Sequence, residues 1–164
     1  MSEFSRPATL QDLKQLLQAL HDHGADYLLI GGYALAAHGY QRATTHIDLL
    51  VPARANAGLK LREALLTLPD RAAADMEPAW LEEGDNIRVA DTFVVDVMVN
   101  ANGHSYESLL AYEQRLDLEG VPVRTLDLAG LLLTKQTQRD KDGGDRAVLE
   151  RAIDELSHID KEHG

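Results

Sequence analysis

The sequence predicts a mixed α/β domain, a β-sheet with helices packed on it. Two observations predict it. Leucine-rich stretches at helical spacing alternate along the chain with short apolar runs of strand length. The gaps between these stretches are short, with no repeat, low-complexity tract or linker rich in Gly, Pro or Ser, so residues 1–164 read as one domain.

The elements follow in order. Thr9 and Asp12 have the spacing of a capping box, with Asp in place of Glu or Gln. Leu10, Leu13, Leu16, Leu17 and Leu20 then mark a helix over 10–23, stopped by Gly24. Tyr27 to Ile30 is a buried strand, broken by Gly31-Gly32. Tyr33 to His38 is a short helix, and Ile47 to Val51 is a strand closed by Pro52. Residues 54–67 form a helix on Leu59, Leu61, Leu65 and Leu66, whereas residues 70–85 have no clear period. Ile87–Ala90 and Phe93–Val99, around Asp91-Thr92, read as an antiparallel hairpin. Ser105 to Tyr112 looks helical. Arg115–Leu118 and Val121–Arg124 flank Glu119-Gly120 as a second hairpin. Asp127 is placed to cap a helix over Leu128–Arg139. Leu149, Ala152, Ile153, Leu156 and Ile159 form the stripe of a last amphipathic helix.

Composition narrows the function classes. There is no cysteine, which excludes disulfides, thiolate metal sites and a Cys nucleophile. No apolar run approaches the ~20 residues that span a bilayer, and the first residues lack a signal-peptide core. A cytoplasmic location without membrane attachment is the expectation. Asp and Glu number 27 against 16 Lys and Arg, for a net charge of −11, which weighs against a large nucleic-acid footprint.

Chemistry concentrates in Leu28–Pro52, LLIGGYALAAHGYQRATTHIDLLVP. A strand ending in Gly-Gly and entering a helix lets the backbone approach an anion closely, a recipe for holding phosphate. On the next strand His46 and Asp48 are two residues apart and project from one face. Asp96 lies within the apolar run FVVDVMVN, where a carboxylate needs a partner or a cation; the plainer reading pairs it with Arg88 across the hairpin. Arg42 suits a phosphate contact or a solvated loop equally. Lys135 ends the apolar run LAGLLLTK, either as a snorkelling lysine or as a ligand contact, and Arg139 shares its face if the helix continues. Tyr33 and His38 fit structural roles, and the other histidines lack metal-ligand spacing.

Together these residues resemble the nucleotidyltransferase superfamily that includes DNA polymerase beta. Its pattern is a strand, Gly followed by Gly or Ser, a gap of about a dozen residues, an acid-hydrophobic-acid strand and a third acid on a later strand. Gly31-Gly32, Asp48 and Asp96 match. GGYALAAHGYQRATT followed by IDLLV is similar to the small bacterial members, including abortive-infection type toxins, and LLLTKQTQRDKDGGD resembles their later Lys and Asp, here Lys135 with Asp142 or Asp145. The resemblance covers about residues 25–155. It implies a nucleotidyltransferase fold with C-terminal helices, and binding of a nucleoside triphosphate (NTP) with Mg²⁺ or Mn²⁺. It implies transfer of a nucleoside monophosphate to an RNA or protein hydroxyl, in toxin–antitoxin or phage-defence settings where an antitoxin protein can be the partner. Gly31, Gly32, Arg42, Lys135 and Arg139 are then the nucleotide contacts. Asp48 and Asp96, with His46, are the metal and catalytic positions, aided by Lys135.

The departure is His46, which stands where the family has its first acid. Imidazole suits Zn, Mn or Co better than Mg²⁺, and one negative charge is lost. Three explanations stand: a natural member that binds nucleotide without turnover, an enzyme with altered metal use, or a histidine introduced to silence the enzyme. The alternative function is a non-catalytic nucleotide-binding or partner-binding module of the same fold.

Overall fold

The computed structural model describes residues 5–40 and 44–135. Arg42, Arg139, Asp142, Asp145 and the last amphipathic helix lie outside the described residues. Six strands form one mixed sheet, flanked by helices, in the order β3-β4-β2-β1-β6-β5. The helices are α1 (Leu10–Asp22), α2 (Gly31–Ala37), α3 (Ala55–Leu65), α4 (Ala79–Glu82), α5 (Tyr106–Leu109) and α6 (Leu128–Leu133). The strands are β1 (Leu28–Ile30), β2 (His46–Leu50), β3 (Ile87–Ala90), β4 (Val94–Met98), β5 (Glu113–Leu118) and β6 (Val121–Leu126). Among the described residues, no helix is long and apolar enough to cross a membrane.

Local chemistry accounts for most boundaries. The capping box at α1 forms: Asp12 N–H donates to Thr9 Oγ1 (3.1 Å), and Thr9 N–H donates to Asp12 Oδ2 (2.8 Å). Leu13, Leu16, Leu17 and Leu20 are buried, and Gly24 ends the turn at φ +64°. α1 packs on α3 and β6. The β5–β6 hairpin turns through Glu119 (φ 51°) and Gly120 (φ 93°), the positive pair that a two-residue hairpin loop requires. β6 joins β1 in parallel, where Thr125 Oγ1 donates to the Leu29 carbonyl (2.6 Å) and Arg124 N–H donates to the Tyr27 hydroxyl (3.1 Å).

Several elements differ from expectation. α2 begins at Gly31 itself, so the glycines belong to the helix rather than preceding it. Ser105–Tyr112 divides into α5 and a 3-10 turn, Leu110–Tyr112. The aperiodic segment 70–85 holds the 3-10 turn Ala72–Asp75 and the single turn α4. Asp127 does cap α6, accepting from Gly130 N–H (2.8 Å), but α6 ends at Leu133, and residues 136–139 of the expected helix lie outside the described residues. Asn102 Nδ2 donates to the carbonyls of Leu133 (3.0 Å) and Lys135 (2.9 Å), which draws them away from helical bonding.

Directions along the sheet set up the site. β2 runs antiparallel to β1, and β4 runs parallel to β2. The end of β1 at Gly31, the start of β2 at His46 and the start of β4 therefore share one end of the sheet. α6 leaves β6 at that same end, because β6 is parallel to β1.

Candidate functional site

A single row of paired residues crosses four strands. Ile30 faces Asp48, Asp48 faces Asp96, and Asp96 faces Arg88. Alternation fixes which side these residues occupy. Ile47 and Leu49 of β2, Val95 and Val97 of β4, and Ile87 and Val89 of β3 are buried in the core. His46, Asp48, Asp96 and Arg88 thus project from the opposite face, where they are half-buried or exposed.

The glycines are required by this geometry. Gly31 has φ +77°, and a Cβ there would lie 2.4 Å from Asp48 Oδ2. Gly32 has ordinary φ, but its Cβ would lie 2.6 Å from the Thr44 Cβ. The Gly31 turn and the Asp48 carboxylate consequently sit against one another with no side chain between them. The first N–H groups of α2 have no acceptor within their own helix, and α2 begins at this contact.

Asp96 is held from two sides. Arg88 Nε donates to Oδ1 (2.7 Å) and Arg88 Nη2 to Oδ2 (3.1 Å), a two-pronged clamp. His46 Nδ1 lies 3.3 Å from the same Oδ2. The Arg88 pKa is raised by its hydrogen bond to Asp96, then by the Asp96 charge, with a smaller contribution from Asp48. Arg88 also lines a groove of about 320 Å³ with Met76 and Trp80. The ion pair weighed for Asp96 in the sequence is therefore formed.

The donor set bears on the cations the resemblance implies. Among the described residues, no three His, Cys, Asp or Glu side chains gather in an arrangement that could hold a metal ion. Asp48 and Asp96 face one another as hard oxygen donors beside the bare Gly31 turn. Hard oxygen donors of this kind suit a cation such as Mg²⁺, whose remaining ligands are usually phosphate oxygens and water. With His46 in the third position they do not fit a pair of cations.

The remaining candidates fall elsewhere. Lys135 lies just past α6, where its carbonyl accepts from Asn102 Nδ2 (2.9 Å) in the segment that follows β4. Tyr33 donates to the Ala8 carbonyl (2.6 Å), and His38 Nε2 bonds the Leu126 carbonyl (2.8 Å); both are structural. Thr44 Oγ1 donates to the His46 carbonyl (3.4 Å).

One buried acid escaped sequence reading. Asp91 is fully buried, and its carboxylate accepts from Asp70 N–H (2.9 Å), Ala72 N–H (2.9 Å) and Thr92 N–H (2.8 Å). It fastens the segment after α3 to the β3–β4 turn. A turn Asp was visible; its distant partners were not.

No protein-family model matches the chain, and no curated protein matches it significantly.

Proposed function

We propose that this chain is a nucleotidyltransferase-fold protein. It binds a nucleoside triphosphate at the Gly31-Gly32 turn and transfers the nucleoside monophosphate to a hydroxyl of an RNA or protein acceptor. The observation that carries the reading is the contact between the bare Gly31 turn and the Asp48 carboxylate, with Asp96 opposite Asp48. A turn stripped of side chains beside two facing acids supplies backbone N–H groups for phosphate and oxygen donors for a cation.

Each residue then has a task. Gly31 and Gly32 admit the triphosphate to the backbone. Asp48 and Asp96 would hold one Mg²⁺ or Mn²⁺, which offsets phosphate charge when bound. The acceptor oxygen forms a bond to the α-phosphorus while the bond to pyrophosphate breaks. Positioning and charge neutralisation supply most of the acceleration in such transfers. Lys135 is a triphosphate contact in this reading, and Arg42 and Arg139 are further candidates. The implied setting is toxin–antitoxin or phage defence, with an antitoxin protein as the partner.

A second reading, a nucleotide-binding module without turnover, is favoured by a specific contact. His46 and Arg88 both engage Asp96, so this acid already has partners within the chain.

The test is transfer from each labelled NTP to RNA and to protein, with Mg²⁺ and separately with Mn²⁺. The parent, His46→Asp and Asp48→Ala are run together. Transfer that disappears in Asp48→Ala supports the enzyme reading. Nucleotide binding without transfer, in both parent and His46→Asp, supports the module. Transfer that survives Asp48→Ala removes the proposed site.

A further inference from the structure

The Arg88 clamp creates a conflict within this site. Both Asp96 oxygens accept from one guanidinium. A cation that bonds Asp96 must displace at least one of those bonds. The Arg88 side chain is 62% exposed and its partner Asp96 20%. Arg88 is the exposed partner, so water competes for its guanidinium and a phosphate can replace the carboxylate as its acceptor. The released side chain remains on the face that carries Asp48, two strand spacings or about 10 Å from it between Cα atoms. A planar guanidinium that binds a carboxylate with two prongs binds a phosphate in the same way.

We propose that Arg88 is a phosphate-binding residue of this site, clamped on Asp96 when the site lacks nucleotide and transferred to a nucleotide phosphate when the triphosphate enters. The inference rests on the nucleotide reading above. It assigns the charge neutralisation that a second cation would give to a side chain of this protein. Asp96 becomes available to a cation only as phosphate draws Arg88 away, so phosphate and cation favour one another's binding. A purely structural Arg88 has no such consequence.

Two binding measurements on the intact chain separate these roles. Mn²⁺ alone is titrated and the free ion read by electron paramagnetic resonance. Each of the four ribonucleoside triphosphates is titrated by calorimetry in the presence of EDTA, without metal. Arg88→Gln removes the clamp and the phosphate contact together. It is expected to tighten Mn²⁺ binding about threefold or more, because Asp96 is released. It is expected to weaken metal-free nucleotide binding by about tenfold or more, because a charge-assisted two-pronged contact is lost. Arg88→Lys, which keeps the charge and loses the fork, falls between the parent and Arg88→Gln on nucleotide. Thermal melting checks that both variants remain folded.

Opposite movement of the two affinities supports the proposal. Mn²⁺ binding that is unchanged or weaker in a folded Arg88→Gln overturns the clamp. Metal-free nucleotide binding unchanged in that variant overturns the phosphate contact. A parent that binds no nucleotide, with or without metal, overturns the nucleotide reading and this inference with it. A parent that binds while Arg88→Gln behaves identically overturns this inference alone.

Discussion

Gly31→Ala probes the join between the phosphate turn and the acid. Two costs are separable. An L-residue in the left-handed region, at φ +77°, costs about 1–2 kcal/mol that glycine does not. The new Cβ also starts 2.4 Å from Asp48 Oδ2, and ordinary contact begins at 3.4 Å, so the carboxylate must retreat. A retreat of that size forces an off-rotamer side chain, at about 0.5–1.5 kcal/mol. The total, about 1.5–3.5 kcal/mol, corresponds to a Tm lowered by about 3–14 °C in a chain of this length. Urea unfolding of the parent, Gly31→Ala, Asp48→Ala and the double variant closes a double-mutant cycle. In the Asp48→Ala background only the backbone cost remains, so Gly31→Ala becomes milder by about 0.5–1.5 kcal/mol. A coupling below about 0.3 kcal/mol refutes the argument that Gly31 is glycine to make room for Asp48. Gly31→Ala with parental stability refutes the backbone part as well.

Three other outcomes are expected. Asp91→Ala leaves three backbone donors unanswered in a buried place and lowers stability by about 3–5 kcal/mol in urea unfolding, although Asp91 is remote in sequence from two of those donors. Asp12, bonded to Arg6 and to the Thr9 N–H, has its pKa lowered from 3.8 to about 2. A carboxyl depressed in the folded state stabilises fully above its unfolded value and loses that contribution as pH falls through the folded one, so the loss spans pH 3.8 down to about 2. Asp12→Asn therefore flattens the pH dependence of Tm within that window, and an unaltered profile counts against the Arg6 bond, the largest cause, and the Thr9 N–H bond as its source. Trp80, the only tryptophan, is 40% exposed and lines the groove that Arg88 shares. Saturating nucleotide is expected to change its emission in the parent and to change it less in Arg88→Gln; bound nucleotide with silent Trp80 places Arg88 movement away from the groove.

What the sequence made legible was local. The capping box of α1, the turn at Glu119-Gly120, the β3–β4 hairpin and the cap at Asp127 each rest on residues within a few positions of one another. The same-face placement of His46 and Asp48 followed from strand alternation alone. The pairing of β2 with β4 did not, because it is a parallel contact across the whole stretch 51–93, and no local pattern encodes its register. That register turns Asp96 from an acid in an apolar run into the neighbour of Asp48. It also carries Arg88, which the hairpin already pairs with Asp96 by sequence, into the row with Asp48. The attachment of β6 to the free side of β1 was equally invisible, since only Leu29 and Thr125 set its register. Residues 70–85 gave no period because they hold turns of three or four residues, too short for one to show.

His46 and Arg88 are best understood together, as one change in the charge of a site. The resemblance implies three acids and thus three negative charges for two divalent cations. Here the site offers two carboxylates and one guanidinium, with an imidazole where the third acid would stand, so less negative charge faces a cation. Such a site attracts a first cation weakly and a second hardly at all, while the guanidinium covers part of the charge on the incoming phosphates. His46→Asp alone then restores only part of the deficit, because Arg88 still clamps Asp96. His46→Asp with Arg88→Gln restores three acids and removes the Arg88 clamp from Asp96. Titration of Mn²⁺ against the four combinations reads the difference directly: the parent and each single variant take up at most one ion near saturation, and the double variant takes up two. Two ions bound by His46→Asp alone would mean that Arg88 imposes no constraint, and the histidine by itself would then account for the altered site.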